Sequence, residues 1–336
     1  MKPLKKPPPK KTKRKNNKSV LQGKGLPLPF FIGMKKIVFI TAGDPLGIGP
    51  EITVKALRSP RVQAKCNPVV LGDTDALLKA GWTDNLGQLL PIDAPACSGV
   101  PHPTAAGGLA SFKAVQTGIK LALQTGDPLV TAPISKQSWA LAGISYTGHT
   151  ELLRAQTNAD GLMMFISGQL RCALVTEHFA IADLPRLLTK NKVQNAALHF
   201  VQALQKLGIK KPKIALCALN PHAGDNGRFG TEENRVLSPA VKNLQHRGFL
   251  IQGPLPTDAA WLMHAHGQCD GLLCLYHDQA LAPLKLAAKE PIVHLTAGLP
   301  FVRTSPTHGT AFDIAGKNKA DPSSMESAIL FAIQKS

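Results

Sequence analysis

Aromatic residues are scarce in this chain, and acidic residues are missing where its basic ones crowd. Phe, Trp and Tyr make up 5% of 336 residues, too few for the stacked aromatic platforms that single-stranded nucleic acids use. No apolar run approaches the roughly 18 residues that span a bilayer, so a soluble protein is expected. The six cysteines, Cys66, Cys97, Cys172, Cys217, Cys269 and Cys274, form no CxxC pair. They read as reduced core thiols of a cytoplasmic protein. The glycine-rich stretch Gly43-Asp44-Pro45-Leu46-Gly47-Ile48-Gly49 also lacks the GxGxxG spacing of a dinucleotide fingerprint.

The formal charge of +18 is unevenly spread. Residues 1–33 hold ten Lys or Arg and no Asp or Glu. The rest carries 29 basic against 21 acidic residues, a balance of +8. That moderate excess suits an anionic small molecule at least as well as a polynucleotide. The leader is rich in Pro and Lys, cannot pack and is expected to be disordered. A polyanion-binding arm is the alternative reading of this segment.

From Lys36 onward, apolar runs alternate with helical patterns, which implies an α/β fold with a largely parallel sheet. Lys36–Thr41 reads as a strand, the glycine-rich turn follows, and a helical pattern begins at Ile52. Backbone N–H groups at such a strand-to-helix turn suit an anion. Residues 82–107 read as irregular. Met163–Ile166 and Leu170–Thr176 read as a hairpin around Ser167-Gly168-Gln169.

Three strands end within a few residues of a histidine: His178, His222 and His277. One such histidine is more often a satisfied polar residue than a ligand. Three in equivalent positions suit a borderline divalent ion such as Zn²⁺ or Co²⁺ if they converge. The stretch Gly271–Gly316 concentrates polar groups after apolar runs, at His277-Asp278-Gln279, Arg303-Thr304-Ser305 and His308-Gly309-Thr310. These read as turns between strands, where open α/β sheets bind ligands.

These residues carry a resemblance. The blocks are Gly43 to Glu51, Thr147-Gly148-His149-Thr150-Glu151, Asn220-Pro221-His222-Ala223-Gly224, Gly253 to Asp258, Tyr276-His277-Asp278-Gln279 and Gly298 to Ser305. In collinear order they resemble the 4-hydroxythreonine-4-phosphate dehydrogenase family of pyridoxal phosphate biosynthesis. The block His308 to Lys317 also resembles the adenosine-binding loop of isopropylmalate and isocitrate dehydrogenases.

The resemblance implies a two-domain α/β/α subunit of the isocitrate/isopropylmalate dehydrogenase-like type, with the site in the interdomain cleft. Residues 34–140 with 300–336 would form the cofactor-side domain, and 141–299 the metal, substrate and dimer side. It implies a cytoplasmic homodimer with the active site at the subunit interface. The activity would be NAD- and metal-dependent oxidation of 4-hydroxythreonine 4-phosphate, then decarboxylation to 3-amino-2-oxopropyl phosphate. His178, His222 and His277 would bind Zn²⁺, Co²⁺ or Mg²⁺, with His277 coming from the opposite subunit. His149, Thr150, Lys285, His294 and Arg303 would contact substrate. His149, Asp258 and Asp278 are the candidates for moving protons. Gly298, Leu299, His308, Gly309 and Asp313 would bind the cofactor, with Asp313 favouring NAD over NADP. One position departs from the family pattern: His294 stands where such enzymes typically have Asn. An imidazole there leaves open a related dehydrogenase acting on another phosphorylated four-carbon hydroxy acid.

Overall fold

Apolar runs read from the sequence as strands meet edge to edge in one sheet. The computed structural model describes residues 35–336, so the basic leader 1–33 lies outside the described residues. The strands are β1 (Lys36–Thr41), β2 (Cys66–Gly72), β3 (Gln88–Pro91), β4 (Leu129–Thr131), β5 (Leu162–Ser167), β6 (Leu170–Leu174), β7 (Lys213–Cys217), β8 (Leu250–Leu255), β9 (Gly271–Cys274), β10 (Val293–Ala297) and β11 (Arg303–Ser305). The described residues form one 11-stranded sheet in the order β3-β2-β1-β4-β11-β10-β5-β6-β9-β7-β8.

Two parallel blocks, β3-β2-β1-β4-β11 and β6-β9-β7-β8, make up its two sides. Between them β10 runs antiparallel to both β11 and β5, and β5 antiparallel to β6. The two blocks therefore point in opposite directions, and the reversal occurs at the centre of the sheet.

Side chains alternate between the faces of a strand, so register fixes which residues share a face. His294 pairs with Ser305 and Phe165, and Thr296 with Arg303 and Met163. Arg303 also aligns with Leu129, putting Thr131 on the same face. Helix Ala105–Thr125 covers one side of this face: a Cβ on Gly118 would lie 2.9 Å from a Leu129 methyl and 3.1 Å from the Thr41 methyl. Thr104 caps that helix by accepting from Gly107 N, and Gly126 ends it with φ 79 in the left-handed region. Helices Thr257–Ala265 and His277–Ala287 cover the other side, where Trp261, Leu281 and Leu284 pack with Met163 and Phe165. The opposite face carries helix Ser323–Lys335 against Val38, Ile40 and Val130, and helix Lys190–Lys206 against Met164, Ile166 and Leu295. The result is a three-layer α/β/α arrangement. No helix among the described residues is long and apolar enough to cross a membrane.

Two local expectations change, and a third segment takes an unusual backbone. Arg303-Thr304-Ser305 is not a polar turn but strand β11, with all three residues buried. This is possible because the polar groups find partners: Thr304 Oγ1 donates to Ala328 O at 2.8 Å, and Arg303 donates to two threonine hydroxyls. The segment 82–107 contains β3 and the start of a helix at Ala105. The Asn220-Pro221-His222 segment continues into a left-handed run in which His222, Ala223, Gly224, Asp225 and Asn226 all have positive φ. Four of those five are not glycine, at about 1–2 kcal/mol each. Buried Glu233 holds the entry to the run, accepting from Leu219 N at 2.9 Å and Asn220 N at 2.8 Å.

Candidate active site

The centre of the sheet presents a buried cation with no carboxylate partner. Arg303 is 1% exposed. Its Nη1 donates to Thr296 Oγ1 at 2.9 Å and its Nη2 to Thr131 Oγ1 at 2.5 Å, while Nε has no partner. No ion pair to Arg303 occurs among the described residues. Burial pulls its pKa down to about 9. Arginine remains charged in practice, so the buried guanidinium keeps its charge. Burying a charge without a partner is costly, and a ligand's anionic group is the natural complement.

Arg303 lies on a cavity of about 570 Å³ that His149, Thr150, His178, His294, Ser305, His308 and Lys136 also line. Strand β4 delivers Thr131, and the helix after it begins at Lys136, capped by Ser135. Helix His149–Thr157 opens the next wall. No side chain caps it; Gly148 stands at its N-cap, while Glu151 Oε2 accepts from Thr147 N at 2.7 Å. His149 Nε2 is shut off from solvent without a partner. Burial first, then the charge of Arg303, hold its pKa well below the usual imidazole value, so the ring is neutral and able to accept a proton.

His294 is 8% exposed and stacks on Phe165, with ring centroids 4.9 Å apart. Its Nδ1 lies 3.2 Å from Ser305 Oγ and 3.4 Å from Arg303 Nη1. An arginine nitrogen only donates, so Nδ1 is the acceptor and the ring proton sits on Nε2. That Nε2 is buried and unpartnered. Burial and Arg303 keep this ring neutral as well.

His178 and His277 follow parallel neighbours β6 and β9, and their ring centroids lie 5.4 Å apart within the single chain. His277 Nδ1 bonds Asp278 Oδ1 at 2.7 Å, leaving Nε2 for a ligand. A carboxylate that orients an imidazole in this way is the usual support of a metal ligand. His222 does not join them; its nearest ring is Phe229, at 6.4 Å. Among the described residues no group of three metal-ligating side chains is assembled. The donor set in one chain thus fits a divalent ion as an oriented pair of imidazoles. The resemblance implied that His277 acts from the opposite subunit; here it already stands beside His178 of its own chain.

Residues 308–318 border two cavities. His308 and Gly309 line the one above Arg303, and Gly316 and Asn318 line a second of about 550 Å³ with Pro45, Leu46 and Gly47. Ile48 N donates to Thr310 O at 2.9 Å, and a Cβ on Gly47 would come within 3.0 Å of Thr310. The two segments therefore touch, and the glycine permits it. Buried Asp44 fixes the turn, accepting from Leu46 N at 3.1 Å and Ser138 Oγ at 2.7 Å. Such a backbone cradle suits the nucleotide of a dinucleotide cofactor. Asp313 is exposed on the same segment, whereas Gly298 and Leu299 line a different cavity with Phe301 and Phe331. Lys285 and Asp258 are exposed on helices His277–Ala287 and Thr257–Ala265, outside the cavity. Lys136 was not singled out from sequence, because a lysine after Pro133-Ile134-Ser135 carries no motif of its own.

Comparisons with known proteins agree on the family. The family model described as pyridoxal phosphate biosynthetic protein PdxA matches residues 53–332. A 4-hydroxythreonine-4-phosphate dehydrogenase of Caulobacter vibrioides is 41% identical over 320 residues, covering 87% of this chain and 95% of the relative. A D-threonate 4-phosphate dehydrogenase of Cupriavidus necator is 37% identical over 316 residues, covering 87% and 95%. The crystal structure of a Klebsiella pneumoniae 4-hydroxythreonine-4-phosphate dehydrogenase superposes with a TM-score of 0.80 at 32% identity, covering 90% of this chain and 98% of that one. The buried arginine, the neutral histidines around it and the paired imidazoles beside them are thus features of a protein that belongs to the PdxA family of pyridoxal phosphate biosynthetic proteins.

Proposed function

We propose that the chain oxidises 4-hydroxythreonine 4-phosphate to the 3-oxo acid with NAD and a divalent metal, and that loss of CO₂ then gives 3-amino-2-oxopropyl phosphate. The observation that carries this reading is Arg303, a fully buried cation without a carboxylate at the cavity that His149, Thr150 and His178 line. In the proposal Arg303 binds an anionic group of the substrate, and Thr150 positions it. Neutral His149 takes the proton of the 3-hydroxyl as hydride leaves the same carbon. His178 and His277 would hold the metal, with Asp278 orienting the His277 ring and His222 as third ligand. A divalent ion there supplies Lewis acidity, first at the hydroxyl and then at the ketone β to the carboxylate. NAD, the hydride acceptor, would lie along residues 308–318, with Asp313 facing its ribose. A homodimer with cytoplasmic residence, and a division between residues 34–140 with 300–336 and 141–299, complete the proposal.

A second reading takes D-threonate 4-phosphate, or another phosphorylated four-carbon hydroxy acid, as substrate. His294 favours it. Its unpartnered Nε2–H is a donor, which suits a hydroxyl or carboxylate oxygen and gives nothing to an ammonium group.

Steady-state NADH formation tests both readings. After chelation, activity with 4-hydroxythreonine 4-phosphate is expected only on adding back Zn²⁺, Co²⁺ or Mg²⁺, and His222→Ala should abolish it. Full activity in chelator would sink the metal-dependent mechanism. Turnover of D-threonate 4-phosphate alone would select the second reading.

A further inference from the structure

We propose that Lys136 is the second cation of this site and holds the substrate's phosphate. The inference rests on the reading that the substrate is a phosphorylated hydroxy acid. Such a molecule carries a phosphate of about −1.5 to −2 charges together with a carboxylate. Arg303 supplies a single positive charge, and both of its terminal nitrogens already donate to Thr296 and Thr131. A second cation is needed. Lys285, which the resemblance offered for that task, is exposed on helix His277–Ala287 and does not line the cavity of its own chain.

Lys136 does line it. Its side chain runs beside the start of helix His149–Thr157, where a Cβ built on Gly148 would lie 3.5 Å from the lysine Cε. Its positive charge contributes to the lowered pKa of both His149 and His178, so the ammonium group acts electrostatically on both rings. Among the described residues it forms no ion pair. The carboxylates on the same cavity are engaged elsewhere: Glu177 pairs with Arg154, and Glu151 accepts from the Thr147 amide and hydroxyl. Lys136 and Arg303 are therefore the cations lining this cavity that no carboxylate pairs, among the described residues. They differ in kind. Arg303 is buried and planar, whereas Lys136 is solvent-exposed, a mobile point charge suited to a strongly hydrated dianion.

The test compares Lys136→Ala and Lys136→Arg with the unmodified protein. Three readouts are KM and kcat for the phosphorylated substrate, the same constants for its dephosphorylated form, and the thermal shift produced by inorganic phosphate. Loss of a charge-assisted contact should raise KM for the phosphorylated substrate roughly 10- to 100-fold in the alanine variant. kcat should change less, and KM for the dephosphorylated compound should rise far less than for the phosphorylated one. The phosphate-induced shift should shrink, and Lys136→Arg should recover much of it. Equal losses for both substrates, or an undiminished phosphate shift in Lys136→Ala, would overturn the assignment. Should the unmodified protein turn over no phosphorylated hydroxy acid, the functional reading fails, while the phosphate shift still decides the role of Lys136.

Discussion

Replacing Arg303 with Met should make the protein more stable and nearly inactive. The fall of its pKa to about 9 corresponds to a desolvation cost on the order of 5 kcal/mol. This is a ceiling, because the guanidinium recovers part of it through Thr296 and Thr131. Methionine has similar length and no charge, but it leaves both hydroxyls without a donor, at about 1 kcal/mol each. The expected balance is a gain of roughly 1–3 kcal/mol, or about 2–5 °C in Tm for a domain of this size. Differential scanning calorimetry in a phosphate-free buffer measures it. Adding inorganic phosphate should raise the Tm of the native chain, through mass action on the folded state, and should raise that of Arg303→Met by less, because Lys136 remains. kcat/KM should fall roughly 100-fold or more. The reasoning is refuted if Arg303→Met loses a kilocalorie or more and phosphate fails to stabilise the native chain. Arg303 would then be a strut for the β4-β11-β10 junction rather than an anion receptor.

Two further outcomes follow from buried groups. His294 stays neutral in the folded protein but titrates near 6.5 once unfolded. The unfolded state thus binds more protons below that pH, and stability should be full above it and fall by roughly 1.4 kcal/mol per pH unit below it. The neighbours that set this are Arg303, His178, Ser305 and Phe165. Urea unfolding from pH 7 to 5 should show a slope shallower by about that amount in His294→Phe; an unchanged slope would refute it. Glu233→Ala removes the acceptor of Leu219 N, Asn220 N and Asn220 Nδ2. It should cost about 3 kcal/mol and open the 220–230 loop to limited proteolysis, and wild-type resistance at that loop would count against the anchoring role.

The sequence carried the fold because its strands are apolar runs bounded by turns, as at Lys36–Thr41 and Gly271–Cys274, and such periodicity survives without knowledge of partners. It carried His149 and Arg303 through the family's motif blocks, and His294 as the position that departs from the family pattern. It could not show that Arg303 is strand and buried: three polar residues in a row look like a turn, and only Thr131, from a strand 172 residues away, and Thr296 make burial tolerable. Lys136 was invisible for a different reason. An isolated lysine gains meaning only from the cavity around it. Asp278 could be read from its adjacency to His277, whereas Asp258 was assigned by position in a motif block and Lys285 by the resemblance alone. Their exposure on two helices is a matter of how those helices are rotated on the sheet.

The hairpin of β10 and β11 also has a consequence for how the chain is made. It is inserted between β4 and β5, and it is synthesised well after both. Until it arrives, those two strands are open edges, able to pair with the wrong neighbour. A nascent chain stopped before residue 293 would therefore carry two unfinished half-sheets and no binding site, because His294, Thr296, Arg303 and Ser305 all travel on the insert. Closure of the sheet and assembly of the anion pocket are one event. A molecule that has failed to close has no means of engaging substrate, and one that engages substrate has already sealed its most aggregation-prone edges.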